Sequence, residues 1–203
     1  PLECSHLYLA IEGKLAAVIC VEDPLREEAA DAVRELKEAG ITKVVMMTGD
    51  SERTAAAIAK RVGVDEYYSE VLPEDKASFV EKEKELGNKV IMIGDGINDS
   101  LALSSASVGI AISDGAAIAR EVADVTISAD NLHEIVTLKR LSTALMKRIH
   151  NNYRTIIGVN GGLIALGVAG VIMPTTSALL HNLSTLTISL RSMRNYLPKE
   201  EEL

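Results

Sequence analysis

The sequence predicts an α/β fold: an incomplete, doubly wound parallel sheet followed by a long helix and a two-helix transmembrane hairpin. Three observations predict it. Short apolar runs alternate with amphipathic, helix-period stretches from Lys43 to Ser128. The turns that end those runs are rich in Gly and Asp, as at Thr48-Gly49-Asp50 and Gly94-Asp95-Gly96. Beyond Arg154 the charges disappear almost completely.

The stretch VIMIGDGINDSLAL, from Val90 to Leu103, organises the rest. Its apolar start suits a buried parallel strand, and a helical run begins at Ser100. Asp95 and Asp99 stand four residues apart just after that strand, among glycines that let the backbone turn and approach a ligand closely. A hard divalent cation beside phosphate oxygens suits such a pair. Magnesium needs only one or two carboxylates because it keeps several of its waters.

Taken from the start, Leu7–Ile11 and Leu15–Val21 form a strand pair turning at Glu12-Gly13-Lys14. Asp23 is a good N-cap and Pro24 suits a first helical position, so a helix is expected from there to Gly40. Lys43–Met47 is the next strand. It ends in Thr48-Gly49-Asp50, where a hydroxyl and exposed N–H groups just before a helix can grip phosphate oxygens. That helix runs from Ser51 to Val62 and stops at Gly63. A short segment at Glu66–Ser69 precedes Pro73-Glu74-Asp75-Lys76, the start of a further helix. A lysine there can reach the same cleft and offset phosphoryl charge. Val108–Ile112 and Asp124–Ser128 are strands, with a short helix between them ending near Val122. Asn131 to Arg154 is a long helix with Leu132, Ile135, Leu138, Leu141, Leu145 and Ile149 on one face.

Composition sets the outer limits. A formal charge of -8 over 203 residues, with 3% aromatics and no basic stripe, excludes a nucleic-acid partner. Cys4 and Cys20 lie far apart in no metal-ligand spacing, and are expected as reduced, near-core thiols. Thr155–Ile172 and Ser177–Leu190 carry no formal charge and bracket a Met173-Pro174-Thr175-Thr176 break. With their flanks they approach the roughly 20 residues of a membrane span. Lys147, Arg148 and Arg154 precede the pair and Arg191 and Arg194 follow it, which places both ends in the cytoplasm. Gly158 and Gly162 have the spacing of close helix packing. The opening Pro1-Leu2-Glu3 lacks a start methionine or leader pattern and is expected to continue from upstream polypeptide.

Four motifs in order, DPLR at Asp23–Arg26, MTGD at Met47–Asp50, PEDK at Pro73–Lys76 and GDGIND at Gly94–Asp99, resemble P-type ATPases. More narrowly, the chain resembles the carboxyl-terminal part of a heavy-metal-translocating member, within the haloacid dehalogenase-like superfamily. The resemblance implies ATP and Mg²⁺ as cofactors, a transition-metal cation as cargo, and an aspartyl phosphate made and hydrolysed during transport. It implies catalytic roles for Thr48, Gly49, Asp50, Lys76 and Asn98. Asp23, Arg26, Thr48 and Asp50 would support the nucleotide, and Asp95 and Asp99 would hold Mg²⁺. In the last membrane segment Asn182, Ser184 and Thr185 are candidates for the transported metal.

The implied organisation is hinge strands at 1–22, phosphorylation domain at 23–130, connecting helix at 131–154, two membrane helices at 155–197 and a cytoplasmic tail at 198–203. The implied place is the bacterial plasma membrane, with residues 1–154 cytoplasmic and the lipid bilayer and the missing amino-terminal part of the pump as partners. The family's DKTGT string, which holds the phosphorylated aspartate, is absent. Leu101 stands where proline is usual and Ser107 where an acidic residue is usual. Without that aspartate the chain alone is expected to be inactive. A free-standing phosphatase of the superfamily and a non-enzymatic, membrane-anchored Mg²⁺-binding module are the alternatives.

Overall fold

The computed structural model describes residues 5–21, 25–94, 97–112, 121–127 and 131–196. Asp23, Asp95 and the helix expected before Val122 therefore lie wholly or mostly outside the described residues. The chain divides into two compact units, Pro1–Val136 and Thr137–Leu203.

In the first unit, β1 (Ser5–Ile11) and β2 (Lys14–Val21) make an antiparallel hairpin. Glu12 and Gly13 both have positive φ, 49° and 75°, the geometry of a tight two-residue turn that matches strand twist. Leu7, Leu9, Leu15 and Ile19 are all exposed, and so is Cys20, which corrects the expected near-core position. α1 (Ala29–Glu38) starts later than the sequence suggests, after a turn in which the Ala29 N–H donates to the Arg26 carbonyl. It stops at Gly40, whose φ of 94° continues no helix.

The parallel strands follow with their crossover helices: β3 (Val45–Met47), α2 (Glu52–Val62), β4 (Glu66–Tyr68), α3 (Pro73–Glu85), β5 (Ile91–Gly94), α4 (Ser100–Ser105), β6 (Val108–Ile112) and β7 (Val125–Ile127). The architecture is α/β, as expected. The parallel sheet, expected as incomplete, falls into two parts. β3 pairs with β4, and β5-β6-β7 form a separate parallel sheet. Among the described residues no strand lies between β3 and β5 to carry hydrogen bonds from one to the other.

The core is built from small side chains. Ala77 and Val80 of α3 meet Ala102 of α4 over Val90 and Met92, while Leu103 and Ala111 pack with Met92 and Ala123. Gly109 is required here by closeness: a Cβ on it would stand 2.6 Å from the Leu103 carbonyl oxygen. Lys37 ties α1 to the next unit of structure, donating to the Gly63 carbonyl at 2.9 Å and to Asp65 at 2.7 Å.

The second unit is a helical pair. α5 (His133–Val168) is one unbroken helix that runs through Arg154. It ends before Gly170, which has a φ of 71°. The apolar run Thr155–Ile172 is thus cut short as helix, and α6 (Pro174–Ser192) is rich in Ser and Thr. No described helix is long and apolar enough to cross a membrane. The two helices run antiparallel. Asn160 Oδ1 and His181 Nδ1 meet at 2.8 Å, Asn152 donates to Ser192 at 2.7 Å, and Arg148 donates to the carbonyls of Ser192, Arg194 and Asn195.

Candidate functional site

Two turns carry the candidate residues. The first follows β3. The Thr48 hydroxyl donates to Asp50 Oδ2 at 2.7 Å and accepts from the Asp50 N–H at 3.1 Å, which closes the turn on itself. The loop after β4 laces it from outside: Thr48 N–H donates to the Tyr68 carbonyl, Val71 N–H to the Thr48 carbonyl and Glu70 N–H to the Asp50 carbonyl. α2 begins directly afterwards, so its free N–H groups open beside this turn. Thr48, Gly49 and Asp50 are exposed to an incoming anion in the way that phosphate binding needs, apart from Thr48's partial shielding.

The second turn follows β5. Ile97–Asp99 form one 3₁₀ turn that leads into α4. Asp99 is 8% exposed, and its Oδ1 accepts from Lys76 Nζ at 2.7 Å. Lys76 comes from the first turn of α3, which Pro73 pre-sets and Asp75 caps by accepting from the Leu72 N–H. Both members of the pair are mostly shielded, with side chains 15% and 11% exposed. Gly94 makes room for this arrangement: a Cβ there would stand 2.6 Å from the Asp99 Cβ and 2.8 Å from Oδ2. The glycine at the end of β5 is thus the seat of the aspartate, a role its sequence context did not disclose.

Lys76, Asp99, Gly94 and Met47 line one cavity of about 420 Å³, with Leu36 and Ile135 also on its wall. Met47 directly precedes Thr48, but Thr48, Gly49 and Asp50 are not among the residues that line this cavity. Asn98 is exposed on the 3₁₀ turn. Arg26 is ion-paired to Glu28 at 3.9 Å. A lysine, an aspartate, a threonine hydroxyl and helix N–H groups at strand ends can together hold a charged phosphoryl group and neutralise it. Among the described residues no three His, Cys, Asp or Glu side chains cluster as a metal centre. Magnesium held by one carboxylate and phosphate oxygens needs no such cluster.

Ser107 lies away from this site. It stands before β6, where its Oγ accepts from the Val90 N–H at 3.2 Å while its own N–H donates to the Val90 carbonyl. A small hydroxyl fits that duty. Leu101 projects from α4 and is 57% exposed.

A more open hollow, about 560 Å³, adjoins β4 and holds Glu52, Asp65 and Glu66. Its carboxylates are committed. Hydrogen bonds from Ser69 and Tyr67 hold Glu52 below the usual carboxylate range, and raise the Tyr67 phenol in return. Lys37 and the Val44 N–H lower Asp65, and Lys43 lowers Glu66. In the helical pair, Ser184 and Thr185 both donate to the His181 carbonyl, at 2.8 and 3.1 Å, and Asn182 is exposed.

Known proteins resemble both parts of this picture. The sequence profile described as "Hydrolase: haloacid dehalogenase-like hydrolase" matches residues 4–107. Copper-transporting ATPase 2 of Rhizobium meliloti (strain 1021) is 46% identical over 176 residues, covering 87% of this chain and 21% of that protein. The zinc-exporting P-type ATPase of Mycobacterium marinum (strain ATCC BAA-535 / M) is 38% identical over 189 residues, 93% of this chain and 26% of that one. The chain therefore spans about a quarter or less of the length of either relative. A zinc-transporting PIB-type ATPase solved in its E2.Pi state superposes with a TM-score of 0.84 at 30% identity, over 95% of this chain and 32% of that one. The chain belongs to the haloacid dehalogenase-like hydrolase family, and its relatives within it are heavy-metal P-type ATPases.

Proposed function

We propose that this chain is the carboxyl-terminal part of an ATP-driven transition-metal transporter that cycles through an aspartyl phosphate. The observation that carries the reading is the shielded Lys76–Asp99 pair, seated on Gly94 in the cavity that Met47, the residue before Thr48, also lines. Lys76 neutralises the phosphoryl group, and Thr48 and Gly49 hold its oxygens. Asn98 completes the shell, while Asp50, Asp23 and Arg26 support the nucleotide side. Asp99, with Asp95, holds Mg²⁺, whose charge would offset that of the transferring group. Its donor set fits that ion: a hard carboxylate oxygen beside a phosphate site. The phosphorylated aspartate comes from polypeptide outside these 203 residues, so the chain alone neither hydrolyses ATP nor takes up phosphate.

Residues 1–22 are read as hinge strands, 23–130 as the phosphorylation domain, 131–154 as a connecting helix and 155–197 as a membrane hairpin with a short tail at 198–203. Ile164, Val168, Leu179 and Leu183 are all more than half exposed on the helical pair, a surface that suits lipid or further apolar helices. Arg148 and Arg191 lie toward the same end of the hairpin, in keeping with a cytoplasmic placement of residues 1–154 at a bacterial plasma membrane. Relatives named for copper and zinc support a transition-metal cargo. Asn182, Ser184 and Thr185 are proposed to face its path. The Ser184 and Thr185 hydroxyl protons go to the His181 carbonyl, so oxygen lone pairs are left for a cation.

A chimera tests this reading. The matching section of the Rhizobium meliloti relative is replaced by this chain, and metal uptake is followed in inverted membrane vesicles with Cu⁺, Zn²⁺ or Mn²⁺. Transport with an acid-stable, hydroxylamine-sensitive phosphoenzyme, both lost in Lys76→Ala, is expected. A chimera that inserts but neither transports nor is phosphorylated overturns the reading. So does the isolated chain if it turns over ATP or p-nitrophenyl phosphate.

A further inference from the structure

Charge is divided unevenly between the two units. Residues 1–136 hold 13 Lys and Arg against 26 Asp and Glu, whereas residues 137–203 hold eight against three. Those three are Glu200, Glu201 and Glu202 at the very end, so no acidic side chain occurs from Ile135 to Lys199. Four cations of this stretch gather at one level of the helical pair. Lys147 and Arg154 are seven residues apart on α5, which puts them on one face and about 10 Å apart along the axis. The bonds from Arg148 to the carbonyls of Ser192, Arg194 and Asn195, with that from Asn152 to Ser192, hold the end of α6 beside the same turns. Arg191 and Arg194 therefore stand level with them. All four residues are exposed.

Local duties do not account for the four. The last carbonyls of α6 are already served by Arg148, which is half-buried and lies 3.9 Å from the centre of the Tyr196 ring. Neither helix carries an acidic side chain beyond Glu134, so no carboxylate of the pair offsets them. Beside the band the surface turns apolar at once. Ile156, Ile157, Leu186 and Leu190 are exposed there, and Tyr153 is exposed at the border. Cations without a carboxylate, set against outward aliphatic side chains, match a molecule that is anionic at one end and aliphatic at the other. We propose that this band binds the headgroups of anionic phospholipids, with their acyl chains laid along the uncharged parts of the two helices. Planar guanidinium groups take phosphate oxygens two at a time, and a tyrosine suits the boundary between headgroup and chain. The inference rests on the reading of residues 155–197 as a membrane hairpin and adds which lipid that hairpin selects.

The 203-residue chain is reconstituted in phosphatidylcholine vesicles carrying a trace of nitroxide-labelled phosphatidylglycerol or phosphatidylcholine. Electron paramagnetic resonance then reads the fraction of each label that the protein immobilises. Phosphatidylglycerol is expected to associate about fivefold or more strongly than phosphatidylcholine at low salt, the factor that one cation beside an anionic membrane surface supplies. That preference should shrink in about 0.5 M salt, and in the combined variant Lys147→Gln, Arg154→Gln, Arg191→Gln, Arg194→Gln. It should persist in Lys14→Gln, Lys60→Gln, Lys82→Gln, Lys89→Gln, an equal loss of charge from the first unit. The salt series uses the unaltered chain, so the outcome does not hang on the folding of a variant. A preference that survives both salt and the change of the four band residues overturns the proposal. So does a preference abolished by inorganic phosphate at matched ionic strength, because the band then takes a free anion. Equal immobilisation of both labels overturns the proposal alone and leaves the hairpin reading standing. Immobilisation of neither removes the hairpin reading and the lipid band with it.

Discussion

The α/β unit and the helical pair obtain their order in opposite ways. The first unit hides small side chains against one another: Ala55, Ala102 and Ala111 are fully buried, and Leu103 and Ile110 nearly so. Its polar groups are drawn into paired positions such as Lys76 with Asp99. The second unit leaves its large apolar side chains outward, with Val168 at 86% and Leu179 at 68% exposure, and uses polar contacts to join its helices. A unit that packs inward carries its own stability. One that faces outward takes its stability from whatever surrounds it. The same leucine should therefore matter greatly in one unit and little in the other.

Four measurements break or sharpen that contrast. The largest effect is expected for Leu103→Ala, which should cost the α/β unit about 2–5 kcal/mol in urea unfolding, whereas Leu183→Ala in the same micelles should change helix stability by less than ~0.5 kcal/mol. Similar losses at both positions would remove the distinction. Next comes Lys76→Met, which strands Asp99 in a shielded place and should cost about 3 kcal/mol. The double variant Lys76→Met with Asp99→Leu should recover most of that loss, and a double-mutant cycle measures how much. Gly109→Ala should cost about 1–3 kcal/mol, because the added Cβ meets backbone that cannot swing aside. Gly158→Ala, with open space around it, should be tolerated.

The smallest effect is a pH dependence confined to the first unit. Glu52, Asp65 and Glu66 titrate below their ordinary range when folded. Their contribution is complete above the unfolded carboxylate pKa of about 4 and drains away as pH falls through the lowered values. Amide protection factors, corrected for the intrinsic pH dependence of exchange, should fall around β4 in acid, while those of α6, with no acidic residue between Pro174 and Ser192, should not. Equal acid sensitivity in both would contradict this.

Much of this was legible in the chain. Strand-turn-helix alternation, the Glu12-Gly13 turn, the stops at Gly40 and Gly63 and the start of α3 at Pro73 follow from local chemistry, and local chemistry is what sequence records best. Lys76 and Asp99 each stood out as candidates from their motifs. Their pairing did not, since it spans separate elements and depends on Gly94 lacking a side chain. An incomplete sheet was expected, but where it divides was hidden for a related reason: strand character is local, while which strands pair depends on the whole set present. Cys20 misled because a hairpin with apolar residues on both faces looks buried in sequence, whichever surface it meets. The uncharged run beyond Arg154 carried no sign that the chain would leave the helix after Val168.

The contacts of Arg148 have a consequence for how the helical pair finds its alignment. Smooth aliphatic surfaces slide and roll over one another at little cost, so they set no unique rotation or offset. A planar guanidinium that meets carbonyls of Ser192, Arg194 and Asn195 tolerates very few offsets. Together with the Asn152–Ser192 and Asn160–His181 links further along, it makes the hairpin a keyed joint with three pins. Replacing Arg148 by lysine would keep the charge and still lose the key.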